Sequence, residues 1–269
     1  MLVIKMDINY IARRLTFSME LKGTLPKINY FFQELLSLST RISPTGIQQV
    51  TWKGPKGDII LNYYDSLACW RAEVIDLHML DIDLPNKESP LIIDIGSNLG
   101  FSVLWFKYQY PDAIIHAYEP VKKSFDILEK NVVDNDLHNC SLKNFGVSDK
   151  DEFVNIYHHP GGAGLGDNVF KQYEGDEKEE IRLVNLDPEF DHIEKFDLLK
   201  LDAEGSEYPI LKNCNFWKKA DKIIIEFHEN FKPDNLDYDK IIRDAGFYHM
   251  KKVGEGKVYV DYYSKDLTS

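Results

Sequence analysis

Two short stretches concentrate the side chains able to do chemistry: Asp202-Ala203-Glu204-Gly205-Ser206-Glu207 and Glu226-Phe227-His228. Each closes an apolar run, Phe196 to Leu201 and Lys222 to Ile225, so each is expected at the end of a strand. Residues i and i+2 of a strand point to one side, which projects Glu226 with His228 and Asp202 with Glu204. With the two strands as neighbours, up to three carboxylates and one imidazole meet at one spot. Two chemistries suit such a set. In the first, His228 is a general base whose tautomer Glu226 or Asp202 fixes. In the second, Asp202, Glu226 and His228 hold a divalent cation that polarises a hydroxyl. The bland alternative places Glu204 and Glu207 at a helix N-terminus, which favours acids, and makes His228 a satisfied core histidine. The pairing of His228 with Glu226 at a strand end favours function.

The elements that position these groups begin at Leu91-Ile92-Ile93-Asp94-Ile95-Gly96-Ser97-Asn98-Leu99-Gly100. The run reads as a buried strand, then a glycine-bounded loop, then a helix over Phe101 to Tyr110. Open α/β sheets build nucleotide sites this way, with glycines admitting the ligand to the backbone and a helix N-terminus facing it. A second strand, Ala113 to Tyr118, ends in Glu119-Pro120, which puts an acid where both ribose hydroxyls can be accepted. The loop lacks the middle glycine of G-x-G-x-x-G, so the ligand has a ribose and no pyrophosphate. S-adenosylmethionine fits that description.

Around this centre, the spacing predicts helices within residues 1–45, a hairpin over Gln48 to Leu61, and a helix over Leu67 to Leu80 capped by Ser66. A helix over Val121 to Asp134 precedes a third strand, Ser141 to Phe145, that ends at Gly146. Strands are expected at Glu152 to Tyr157 and Ile181 to Leu186, with a mobile glycine-rich loop (158–168, including His158 and His159) and a solvated charged stretch between them. A helix starting near Ile210, a helix over Leu236 to Ala245 and a hairpin around Gly254-Glu255-Gly256 complete the chain.

Asp94 to Gly100, Glu119-Pro120, Leu199 to Glu207 and Glu226-Phe227-His228, in that order, resemble the FkbM-type methyltransferases. These are class I, S-adenosylmethionine-dependent enzymes that typically methylate hydroxyls of sugars or secondary metabolites. The resemblance covers about Leu91 to His228, with Ser97 where an alanine is common. It implies an α/β, Rossmann-like class I fold: a seven-stranded, mostly parallel sheet with an antiparallel C-terminal hairpin, preceded by a helical and hairpin extension. The expected division is an extension over 1–88, the region for substrate or lid, and a methyltransferase domain over 89–269. The cofactor-binding set is then Asp94, Gly96, Ser97, Asn98 and Gly100 at the methionine end, Glu119 and Pro120 at the ribose, Phe145 and Gly146 near the adenine, and Asp202. The catalytic set is His228, Asp202 and Glu226. A metal-free base is preferred over a cation, because a sulfonium needs no Lewis acid to leave.

Bulk properties narrow the function. A formal net charge of −12 over 269 residues argues against a bulk nucleic-acid binder. Cys69, Cys140 and Cys214 are odd in number and scattered, which suggests neither a disulfide framework nor a zinc site. No run approaches the ~18 apolar residues of a membrane span, and the first residues do not read as a signal peptide. The expectation is a cytoplasmic S-adenosylmethionine-dependent O-methyltransferase acting on a small-molecule or glycan acceptor. The alternatives are an N- or RNA-methyltransferase, a nicotinamide-dependent oxidoreductase, and a non-catalytic binding module.

Overall fold

The computed structural model describes residues 47–64, 67, 79–158 and 177–266. The helices expected in residues 1–45, almost all of the one expected over 67–80, and the glycine-rich loop lie outside these residues. The first hairpin forms as expected from β1 (Gln48–Gly54) and β2 (Gly57–Tyr63), turning between Gly54 and Gly57. Next come β3 (Leu91–Ile95), α1 (Phe101–Gln109), β4 (Ile114–Tyr118), α2 (Lys122–Asp134) and β5 (Cys140–Lys143). Then follow β6 (Gly146–Val147), β7 (Glu152–His158), β8 (Glu177–Val184), the short α3 (Asp187–Phe190) and β9 (Phe196–Leu201). The chain closes with α4 (Glu207–Asn213), β10 (Ala220–His228), α5 (Tyr238–Asp244), β11 (Tyr248–Val253) and β12 (Val258–Ser264).

The main sheet runs β11-β12-β10-β9-β3-β4-β5. Strands β5, β4, β3, β9 and β10 are mutually parallel, and β12 runs against both β10 and β11. The chain fills the sheet outward from β3 to β5 and then returns to the other side of β3 with β9. The strand order therefore reverses between β3 and β9, where open α/β sheets leave a crevice at their carboxyl ends. Both faces of the central strands are covered, so their sequences are mostly apolar, with Asp94 in β3 and Lys200 in β9 as buried charges. Alternation sends Ile92, Leu198 and Ile224 into one apolar cluster and Ile93, Leu199 and Ile225 into the other. The hairpin β1–β2 belongs to the first cluster, with Trp52 and Leu61 buried alongside Leu104 of α1 and Leu128 of α2.

Two features differ from the sequence expectation. The third strand stops at Lys143, and Gly146–Val147 leaves the main sheet to pair with Leu183 and Val184 of β8. With the antiparallel pair β7–β8, this makes a separate three-stranded sheet, β6-β8-β7. The solvated stretch also ends earlier than expected, since Glu177 to Glu180 is already strand. Cross-strand pairing with β7 overrides the low strand propensity of those charged residues.

Candidate active site

The loop after β3 is shaped by its neighbours. Gly96 has φ +78°, and its N–H donates to Tyr118 O at 2.9 Å. A Cβ built on it would lie 1.7 Å from the Asp202 carbonyl oxygen. The glycine is therefore demanded by the close approach of β9's end, whatever ligand binds. Gly100, φ +83°, faces α2: its Cβ would stand 2.5 Å from Leu128 Cδ1. Between them Asn98 adopts φ +47°, a left-handed conformation that asparagine tolerates well.

Glu119, at the end of β4, is 5% exposed. Its carboxylate accepts from Asn98 N–H and from Val121 N–H, each at 2.8 Å. Asn98 Oδ1 is buried and has no hydrogen-bond donor among the described residues. Behind the loop, Asp94 is fully buried and accepts from Ser102 Oγ at 2.5 Å. Lys200 of β9, in register with Asp94, donates from Nζ to Gly96 O at 3.0 Å. The same ammonium lies 3.4 Å from Asp202 Oδ2 and 3.5 Å from Asp94 Oδ1. One buried lysine thus ties β3's loop to β9's end and balances two acids.

The acid-rich turn after β9 passes through Glu204 at φ +48° and Gly205 at φ +110°. It is clamped by Glu207, whose fully buried carboxylate accepts from Ala203 N–H and Gly205 N–H, each at 2.7 Å. His228 stands behind this turn. Its Nδ1 is 3.2 Å from Glu207 Oε1, and its Nε2 is 3.3 Å from Glu204 Oε2 and 4.0 Å from Glu226 Oε1. Burial by itself would lower the imidazole pKa. The hydrogen bond and charge of Glu207, with the charges of Glu204 and Asp202, outweigh burial and raise it to about 9. With a carboxylate facing each ring nitrogen, both carry protons and His228 is an imidazolium at neutral pH.

A single cavity joins these parts. Of the sequence-derived cofactor set, Gly96, Ser97, Asn98, Glu119, Pro120, Gly146 and Asp202 line it; Asp94, Gly100 and Phe145 do not. Asp94 lies under the loop, Gly100 is turned to α2, and Phe145 packs on Tyr118 with ring centroids 5.5 Å apart. Of the catalytic set, Asp202 and Glu226 line the cavity, whereas His228 does not. The partners expected to fix the His228 tautomer, Glu226 or Asp202, give way to Glu207 and Glu204. Glu226 and His228 are both in β10, 4.0 Å apart, whereas Asp202 and Glu204 lie beyond the end of β9 in the turn, which carries Glu207 back under the imidazole.

Three features of the site, two of them in the cavity wall and one beneath it, are not evident from the sequence alone. Lys200 is one, and its signal was a charge inside the buried run Leu199-Lys200-Leu201. Glu207, passed over as a helix-end acid, is the second. The third is an apolar wall of Val154, Ile156, Ile181 and Leu183, presented by one face of β7–β8, whose position depends on a sheet pairing that no local signal announces. Asp202, Glu207 and His228 bring ligand atoms within 4.8 Å of one another, compact enough for a divalent cation. Both Glu207 oxygens already accept backbone N–H groups, however, and the imidazole is held protonated.

Comparison with known proteins bears on the chain's family. A family model described as the methyltransferase FkbM domain matches residues 94–248. The chain is 27% identical over 211 residues to Methyltransferase sdnD of Sordaria araneosa, covering 65% of this chain and 80% of that protein. It is 24% identical over 188 residues to Methyltransferase 1 of Beauveria bassiana (strain ARSEF 2860), covering 61% and 74%. Aeropyrum pernix fibrillarin, solved with natively bound S-adenosyl-L-methionine, superposes at a TM-score of 0.44 and 11% identity, over 82% of this chain and 99% of that one. The family match spans more than half of the sequence and contains the glycine loop, Glu119 and the acid-rich turn: the chain belongs to the FkbM family of S-adenosylmethionine-dependent methyltransferases.

Proposed function

We propose that this methyltransferase acts on a hydroxyl of a sugar or other small metabolite, with a cavity carboxylate taking the hydroxyl proton. The observation that carries the reading is the meeting of Asp202, Glu204 and Glu226 in the cavity that also contains the glycine loop and Glu119. S-adenosylmethionine, when bound, supplies a methyl group on a sulfonium that is already a good leaving group. Asn98 Oδ1, a buried acceptor with no donor among the described residues, fits a ligand rich in N–H and O–H donors, and we assign Glu119, at the cavity wall, to the ribose hydroxyls.

The protein's own work is then alignment and proton removal. Asp202 shares the Lys200 ammonium at 3.4 Å, and Glu204 lies 3.3 Å from His228 Nε2. Glu226 lines the cavity from β10, so we assign it the hydroxyl proton and give Asp202 the orientation of the acceptor. His228, protonated and outside the cavity, positions the carboxylates and takes no proton itself. A small acceptor also suits the charge, since four cavity acids, Glu119, Asp202, Glu204 and Glu226, in a chain of net charge −12 repel a polyphosphate backbone.

The test is incubation with methyl-labelled S-adenosylmethionine and panels of sugars, hydroxylated metabolites, amines and RNA, with the product identified by NMR. A methyl ether is expected, and Glu226→Gln should lower its formation by about a hundredfold or more. An N-methyl product or labelled RNA would overturn the assignment.

A further inference from the structure

The hairpin β1–β2 is fastened to the rest of the fold by an arrangement that reaches the cofactor loop. A two-stranded hairpin is marginal alone, and its outer edge presents unpaired backbone groups. Here helix α2 covers that edge with two asparagine side chains. Asn135 Oδ1 accepts from Ile60 N–H at 2.7 Å, and its Nδ2 donates to Ile60 O at 2.7 Å. Asn131 repeats the pattern on Asn62: Oδ1 accepts from the backbone N–H at 2.7 Å, and Nδ2 donates to Asn62 O at 3.0 Å. The match is geometric. Four residues along a helix rise about 6 Å, close to the ~6.7 Å between alternate residues of a strand, so the two amides stand in for a third strand.

Asn131 does one thing more. Its second Nδ2 hydrogen reaches Leu99 O, at 2.8 Å, between Asn98 and Gly100. Its Oδ1 also accepts from Asn62 Nδ2 at 3.1 Å, which fills all four of its hydrogen-bonding places. The residue is fully buried and lies outside the cavity. We propose that Asn131 is a positioning residue for the cofactor: it couples the N-terminal hairpin to the glycine loop and holds Leu99, and with it Asn98, in the binding conformation. A buried amide with every place filled has one orientation, and that orientation aims its second N–H at Leu99 O.

The inference rests on the cavity's being the cofactor site, and its test keeps the two apart. S-adenosylhomocysteine affinity is measured by calorimetry, and melting temperature separately, for wild type, Asn131→Ala and Asn135→Ala. Asn135 clamps the same hairpin and has no bond to Leu99, so its variant controls for lost stability. Asn135→Ala should melt earlier and keep wild-type affinity. Asn131→Ala should melt earlier and bind about five- to tenfold more weakly, the loss of roughly one hydrogen bond's worth of loop order. Asn131→Asp keeps an acceptor for Asn62 N–H and offers Leu99 O no donor; it is read the same way if the alanine variant does not fold. Wild-type affinity in a folded Asn131 variant, or equal weakening in Asn135→Ala, would reduce Asn131 to a structural residue. A wild-type protein that did not bind S-adenosylhomocysteine would instead undo the cofactor site itself.

Discussion

Two residues decide how the cavity is expected to work, and neither acts alone. Glu119 accepts two backbone N–H groups, which fixes its direction at the cavity wall, and the proposed ribose role makes its carboxylate an acceptor for the hydroxyls. Glu119→Ala is expected to weaken S-adenosylhomocysteine binding by about 1.5–3 kcal/mol, the range for hydrogen bonds to a charged group. Calorimetry on the folded variant checks this, and unchanged affinity would remove Glu119 from the ribose. His228 sets the pH behaviour. Its folded pKa, about 9, lies above the ordinary histidine value, so the protonated form is favoured by folding. That stability is complete below about pH 6.5 and drains away as pH rises through 9. Denaturant unfolding of wild type and His228→Gln across this window should show a fall in the first and a flatter line in the second. The kcat/KM profile should have no rising limb near pH 6.5, and one that appears and vanishes with His228→Gln would restore the imidazole as base.

At the scale of elements, the site is made by loops that two strands force together. Asp202 N–H donates to Ile95 O at 3.0 Å, and the next carbonyl, that of Asp202, occupies the space a Gly96 side chain would need. Gly96→Ala therefore collides with backbone, which has no rotamer to yield. Gly100→Ala collides with the end of Leu128, a side chain that can move, and carries the additional strain of its φ. Melting temperatures should order wild type above Gly100→Ala and Gly100→Ala above Gly96→Ala, and Leu128→Ala should recover part of the Gly100→Ala loss only. A Gly96→Ala protein with wild-type stability and cofactor affinity would contradict the close approach of β3 and β9. The small sheet β6-β8-β7 adds Val154, Ile156, Ile181 and Leu183 to the wall of the cavity that the acids also line, so the cavity offers both apolar and charged surface.

The whole molecule brings a nucleotide-type crevice, an acidic turn and a covering sheet to the carboxyl ends of one parallel sheet. Among the described residues, no helix is long and apolar enough to cross a membrane. S-adenosylhomocysteine should raise the melting temperature of the intact chain and NAD should leave it unchanged, since only a ligand of the native state stabilises. Turnover should survive dialysis against EDTA, because both Glu207 oxygens are already committed to backbone N–H groups. Loss of activity that Mg²⁺ or Mn²⁺ restores would turn Asp202, Glu207 and His228 into a cation site.

The sequence by itself determined the parts whose causes are local. Apolar runs closed by glycine or acid marked β3, β4, β9 and β10, and the C-terminal hairpin followed from Gly254 and Gly256. The spacing of Asp94, Gly96, Gly100 and Glu119 announced the strand, loop and helix that open the sheet, and the acid-rich turn with Glu226 and His228 announced a cluster of acids at the strand ends. Tertiary structure alone decided which of these groups face the cavity. Asp94 is sealed beneath Ser102 because α1 packs over it, and Lys200 becomes its partner because β3 and β9 align at that register. His228 became a buried cation when the turn after β9 folded Glu207 under it. Two asparagines one helical turn apart look like any polar helix face until a strand edge is laid against them. Local signals report what a residue's own segment prefers. The direction of a side chain, its charge state and its partner are set by segments tens of residues away, and only the packed chain brings those together.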